Sequence, residues 1–208
     1  MVYLYREQET GKRLDTDTTG AEMTSLRMTS RDLQVLPDDS KRYEVIDGEL
    51  YVSRQPHNYH QLVSSRIWEL LQVWSRQTKA GEAINAPGLI FAEDDDVAPD
   101  VTWMSRERRA TAFQADGKYH AAPELVVEVL SPGTINEQRD HETKLKLYSR
   151  RGVLEYWIVG WIEQRLEVYR RDEGVLKLHG TFYKNDLLQS PHLPGFACRV
   201  GQFFDDIF

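Results

Sequence analysis

Apolar positions recur along this chain in distinct rhythms, and each rhythm points to an element. The run RYEVIDGELYV holds two alternating segments joined at Asp47-Gly48, a pattern that favours a two-residue hairpin turn. Across residues 57–79, Val63, Ile67, Leu70, Leu71 and Trp74 fall on one stripe, the spacing of a long helix with one buried face. Gly81 follows as its stop. Strands are expected at residues 84–92, 99–104 and 124–130, with an acidic turn at residues 93–96 separating the first two. Thr134 and Glu137 have capping-box spacing, so a helix should start near Ile135 and end at Gly152 behind Arg150 and Arg151. The segments EYWIV, RLEVYRR and VLKLHGTFY read as three further strands. A short helix capped by Ser30 is expected to run through Leu36 and stop at Pro37. Few helices interleaved with many strands predict a mixed α/β fold around one sheet.

Composition narrows this picture. The 208 residues suit one domain, residues 29–208, preceded by a polar segment, residues 1–28. Residues 6–24 of that segment are rich in Thr, Asp, Glu and Gly, so a mobile tail, or an arm that orders on a partner, is expected. The single cysteine, Cys198, excludes an intramolecular disulfide and a Cys-based zinc cluster, and between Ala197 and Arg199 it reads as a space filler. No apolar run is long enough to cross a bilayer, and no charged-then-apolar leader follows Met1, so a cytoplasmic location without a membrane partner is expected. The net charge of −7 argues against affinity won by covering many phosphates with Lys and Arg. Local nucleic-acid contact, aided by a bound metal or a dimer surface, is compatible with it.

The candidate chemistry lies in two carboxylates. In ELVVEVLS, alternation places Glu124, Val126, Glu128 and Leu130 on one strand face, with Leu125, Val127, Val129 and Ser131 on the other. A carboxylate amid such a strand needs a positive partner. A salt bridge with Arg or Lys is the plain explanation, and a metal ion the sharper one. Asp100 follows Pro99 at the edge of a strand that could lie beside Glu128. Together the two acids would form an oxygen-rich pocket suited to Mg²⁺ or Mn²⁺ rather than zinc.

The segments RYEVIDGELYV, APDVTWM, PELVVEVLSP, RDHETKLKLYSRRGVLEYWIV and LPGFACRV, in this order over residues 29–208, resemble the Uma-type restriction endonucleases of the PD-(D/E)XK nuclease superfamily. The resemblance implies a restriction-endonuclease-like core, a mixed sheet flanked by helices with a metal at the strand ends. It implies Asp100 and Glu128 as the metal ligands. In the superfamily's Glu-x-Lys pattern the lysine follows two residues after the glutamate, but here that position is Leu130. The resemblance moves the lysine to the next helix, where Lys144 matches. Asp140 lies one turn before Lys144 on the same face, with Lys146 nearly opposite, so an exposed i,i+4 ion pair is the competing reading of Lys144. Glu44 could add a third carboxylate or pair with Arg42, and His60 could face the site or be a capped or core histidine. Gly160 stands where similar sequences often place an aspartate, which leaves the turn after EYWIV open.

The expected function is metal-dependent hydrolysis of nucleic-acid phosphodiesters, with DNA as the expected polymer. The alternative is a catalytically inactive binding or assembly module on the same scaffold. A small-phosphoester hydrolase is disfavoured, because no Gly-rich phosphate cradle is visible. Symmetric cutting of two strands would call for a homodimer, for which EYWIV and RLEVYRR could supply the contact or, equally, the core.

Overall fold

The computed structural model describes residues 27–131, 133 and 137–207. The expected tail through residue 26 and the capping residue Thr134 with the helix start at Ile135 lie outside the described residues. The hairpin forms as its pattern predicts: β1 (Arg42–Ile46) pairs antiparallel with β2 (Glu49–Ser53), and Ile46 stands opposite Glu49. That register leaves Asp47 and Gly48 alone in the turn, with φ of 53° and 76°. Positive φ at both positions is what matches a tight turn to the twist of the flanking strands. On its other side β1 meets β5 (Asp95–Val97), which pairs with β4 (Leu89–Ala92), giving a four-stranded sheet in the order β2-β1-β5-β4.

A second, six-stranded sheet forms the centre. It contains β3 (Gly81–Asn85), β6 (Val101–Ser105), β7 (Leu125–Val129), β8 (Glu155–Gly160), β9 (Arg165–Asp172) and β10 (Val175–Tyr183). Their order is β10-β9-β8-β7-β6-β3, and β7 and β8 run parallel. A parallel pair needs a crossover, and here it includes a π-helical segment (Arg139–Lys144) running into a short helix, α4 (Leu145–Arg151). Every residue of β7 and β8 is buried, because both faces of the sheet are covered. Leu125, Val127 and Val129 pack into one core with Val63, Ile67 and Leu71 of α2 (Asn58–Thr78) and with Phe196, Phe203 and Ile207 near the C-terminus. Val126 and Leu130 join the opposite core with Ile46, Leu89, Leu147 and Tyr148. The period-2 split of ELVVEVLS is thus the split between two cores. EYWIV is core too, since Tyr156 and Trp157 are fully buried in the interior of the sheet.

Several boundaries differ from expectation, each for a physical reason. Residues 84–92 do not form one strand: Ala86, Pro87 and Gly88 interrupt the ladder, and the two halves enter different sheets. The acidic turn is only Glu93-Asp94, while Asp95 and Asp96 are buried in β5. Arg150 and Arg151 bind Asp95, and Lys118 binds Asp96 at 2.8 Å, which is what permits two acids inside a strand. The cap of α1 (Ser30–Leu33) is Thr29 rather than Ser30, with the Asp32 carboxylate accepting from both the amide and the hydroxyl of Thr29. Helix α2 ends at Thr78, with Lys79 in the left-handed conformation. Gly81 instead opens β3, where an added Cβ would lie 2.3 Å from the Met104 carbonyl oxygen. Helix α3 (Arg106–Ala112) and the hairpin of β11 (Leu187–Gln189) with β12 (Ala197–Arg199) carry no strong periodic signal. No helix of the described residues is long and apolar enough to cross a membrane.

Candidate functional site

The site gathers side chains from both sheets and from the crossover. β6 and β7 are antiparallel with Val101 opposite Val127, so one further step brings Asp100 level with Glu128. The contact is direct, for the Val129 amide donates to Asp100 Oδ2 at 2.8 Å. From the first turn of α2, His60 Nε2 lies 3.1 Å from the same oxygen. Arg42, on β1, donates to Asp100 Oδ1 at 3.2 Å. Burial opposes ionisation of Asp100, but the hydrogen bond and electrostatic pull of His60, the Arg42 charge and the Val129 amide outweigh it. They hold this carboxyl well below the usual carboxylate range.

Glu128 is held from the crossover. Lys144 Nζ donates to Glu128 Oε1 at 2.9 Å, and Tyr148, one turn further on, donates to the same oxygen at 2.7 Å. Lys144 is 1% exposed, so the reading of an exposed ion pair with Asp140 does not hold. Its ammonium also lies 3.3 Å from Glu44 Oε1 and 3.8 Å from Asp140 Oδ1. Glu44 reaches in from β1 and accepts from the Ala98 amide at 3.0 Å. Arg42 is therefore not its partner, because that guanidinium is turned to Asp100. Four buried carboxylates (Glu44, Asp100, Glu128 and Asp140) face three permanent cations (Arg42, Arg139 and Lys144). Burial, with Asp100, Asp140 and Glu44 nearby, pushes the Glu128 carboxyl up to about 8 although Lys144 pulls it down. Lys144 moves upward as well: burial works against its charge, but Glu128, Glu44 and Asp140 prevail. Burial leads the rise at Glu128, with the neighbouring carboxylates adding to it, whereas at Lys144 the carboxylates alone drive the rise.

These groups border a cavity of about 390 Å³. Asp100, Glu128, Asp140, Lys144 and His60 all line it, whereas Glu44 stands behind Lys144. Whether a divalent cation fits is decided by the donor set. Carboxylate oxygens are the hard ligands that Mg²⁺ and Mn²⁺ prefer, and Glu128 Oε2 makes no hydrogen bond among the described residues. Glu44 Oε2 and Asp140 Oδ1 are buried without one. No group of three or more His, Cys, Asp or Glu among the described residues is arranged to hold a metal. Asp100 and Glu128 are the two carboxylates that could hold such an ion, which would retain several of its waters, although both Asp100 oxygens already have partners in Arg42, His60 and Val129.

Sequence reasoning missed three contributors. Arg42 shares a strand face with Glu44, two residues on, and that alternation was the signal for its entry into the site. Tyr148 lies four residues after Lys144, again a readable spacing. Arg139 had no comparable signal.

A mixed sheet with helices and a carboxylate-lysine cavity at its strand ends defines a nuclease-like fold. A solved structure from Anabaena variabilis, titled as that of "a putative nuclease belonging to DUF820", shares it with a TM-score of 0.68 at 17% identity, over 85% of this chain and 97% of that one. The family model described as "Uma2: Putative restriction endonuclease" matches residues 30–201. The chain belongs to that family. No curated protein matches it at a significant level.

Proposed function

We propose that the chain is a metal-dependent nuclease that hydrolyses phosphodiester bonds of DNA. The observation that carries this reading is the cavity in which Asp100 and Glu128 share one wall with the buried ammonium of Lys144. Asp100 and Glu128 would hold Mg²⁺ or Mn²⁺, and such a cation supplies polarisation of a phosphoryl oxygen and a lowered pKa for bound water. The protein's own residues do the rest. His60, Arg42 and the Val129 amide fix the Asp100 carboxylate, and Tyr148 fixes that of Glu128. Three carboxylates around Nζ hold Lys144 as an ammonium ion, so its role is to stabilise negative charge developing on the phosphate rather than to accept a proton.

The test is cleavage of plasmid DNA by the purified chain with Mg²⁺ or Mn²⁺, repeated with Asp100→Ala and Glu128→Ala. Each substitution should lower the rate at least about a thousandfold, roughly 4 kcal/mol of barrier, with the circular dichroism spectrum retained. Undiminished cleavage by Asp100→Ala would sink the assignment. The saturated environment of Lys144 and the lack, among the described residues, of a group of three or more metal-binding side chains favour a second reading, an inactive module that binds without turnover. DNA binding by the wild type with no cleavage under either metal would establish it.

A further inference from the structure

The cavity has a basic rim whose charges are not all used within the protein. Lys144 is spent on Glu128, Glu44 and Asp140, and Arg42 on Asp100 and the Ala98 carbonyl. Arg54 is different. It lines the cavity, is exposed, and makes no hydrogen bond or ion pair among the described residues. Arg139 stands beside it, half-committed to Asp140 and Ser53. Its Nη1 donates to Ser53 Oγ at 2.9 Å, which ties the π-helical segment to the end of β2 beside Arg54. Its Nε is buried with no hydrogen bond, 3.7 Å from Asp140 Oδ1.

In a chain of net charge −7, a guanidinium without a protein partner among the described residues, at the mouth of an acid-lined cavity, is open to an external anion. Guanidinium groups are planar forks that match phosphate oxygens. We propose that Arg54 and Arg139 form a clamp for backbone phosphates flanking the one that enters the cavity, so that the substrate is a polynucleotide rather than a small phosphoester. This rests on the nuclease reading for the location of the reacting phosphate, but it is tested by binding. The clamp explains how an acidic protein can engage a polyanion: contact is confined to one rim, next to the carboxylates that a cation would neutralise.

The experiment is fluorescence anisotropy of a labelled DNA duplex with wild type, Arg54→Ala, Arg139→Gln and Arg76→Ala, in Ca²⁺ at a series of salt concentrations. Arg76 is exposed on α2, outside the cavity lining, and its loss changes net charge equally. Arg54→Ala should weaken binding several-fold and make the slope of log K against log salt shallower by about one. Arg139→Gln should act in the same direction, and Arg76→Ala should leave affinity and slope as in the wild type. Equal affinity and slope for Arg54→Ala and wild type would overturn the clamp, as would a wild type that binds no duplex. Because Arg54 is exposed, its substitution tests the clamp even if Arg139→Gln fails to fold. Arg54-dependent binding without cleavage would leave the clamp standing and remove the nuclease; cleavage with no role for Arg54 would do the reverse.

Discussion

An ammonium group deprived of water must find oxygens in its place, and at Lys144 three carboxylates supply them. Replacing it with Met keeps the volume and removes the charge, leaving Glu128, Glu44 and Asp140 crowded together without their common cation. Lys144→Met should therefore cost about 3–5 kcal/mol of stability, the usual penalty for breaking a buried pair from one side, measured by urea unfolding without metal. At this scale much of the chemistry was legible. An acid in the middle of the apolar strand ELVVEVLS demanded a cation, and Lys144 is one. Its burial was not legible, because one of the covering groups, Glu44 on β1, lies a hundred positions away along the chain by residue number. Cys198 was also readable: it is buried, and burial alone pushes its thiol up to about 12, so it is unreactive filler.

Among the elements, the close approach of β3 to β6 depends on one missing side chain. A Cβ at Gly81 would meet the Met104 carbonyl oxygen at 2.3 Å and the Ser105 Cα at 2.9 Å, both backbone atoms that cannot swing aside. Gly81→Ala should destabilise the protein by about 1–3 kcal/mol, read as a lower midpoint in thermal unfolding; an unchanged midpoint would show that the strands can part without cost. Periodicity located the long helix and the buried strands well, since each has a full face to bury. It erred where residues change sheets, as at Ala86 to Gly88, because a run of apolar residues does not reveal which sheet each half joins. The π-helical turns of Arg139 to Lys144 were equally hidden. Their hydrogen-bond pattern departs from the 3.6-residue period on which helix reading relies, and such turns are frequent at functional sites.

For the molecule as a whole, a divalent cation bound at the carboxylate cluster, as the proposed function has it, would be a source of folding stability, since the unfolded chain has no such cluster. Mg²⁺ at a hundred times its dissociation constant should stabilise the wild type by about 2.7 kcal/mol, seen as a rise in melting temperature. Glu128→Gln should lose most of that rise. An equal rise in both would place the cation elsewhere.

The meeting of two sheets at one cavity also bears on when the site comes into being. Arg42 and Asp100 are separated by 58 positions, and Glu44 and the Ala98 amide by 54. Contacts between such distant parts of a chain close late, because the entropy of the intervening loop must be overcome first. No single hairpin or helix pair contributes more than part of the cavity lining. A nascent or partly degraded chain would thus carry the acids and the lysine without the site, and the completion of folding would itself be the step that assembles the cavity.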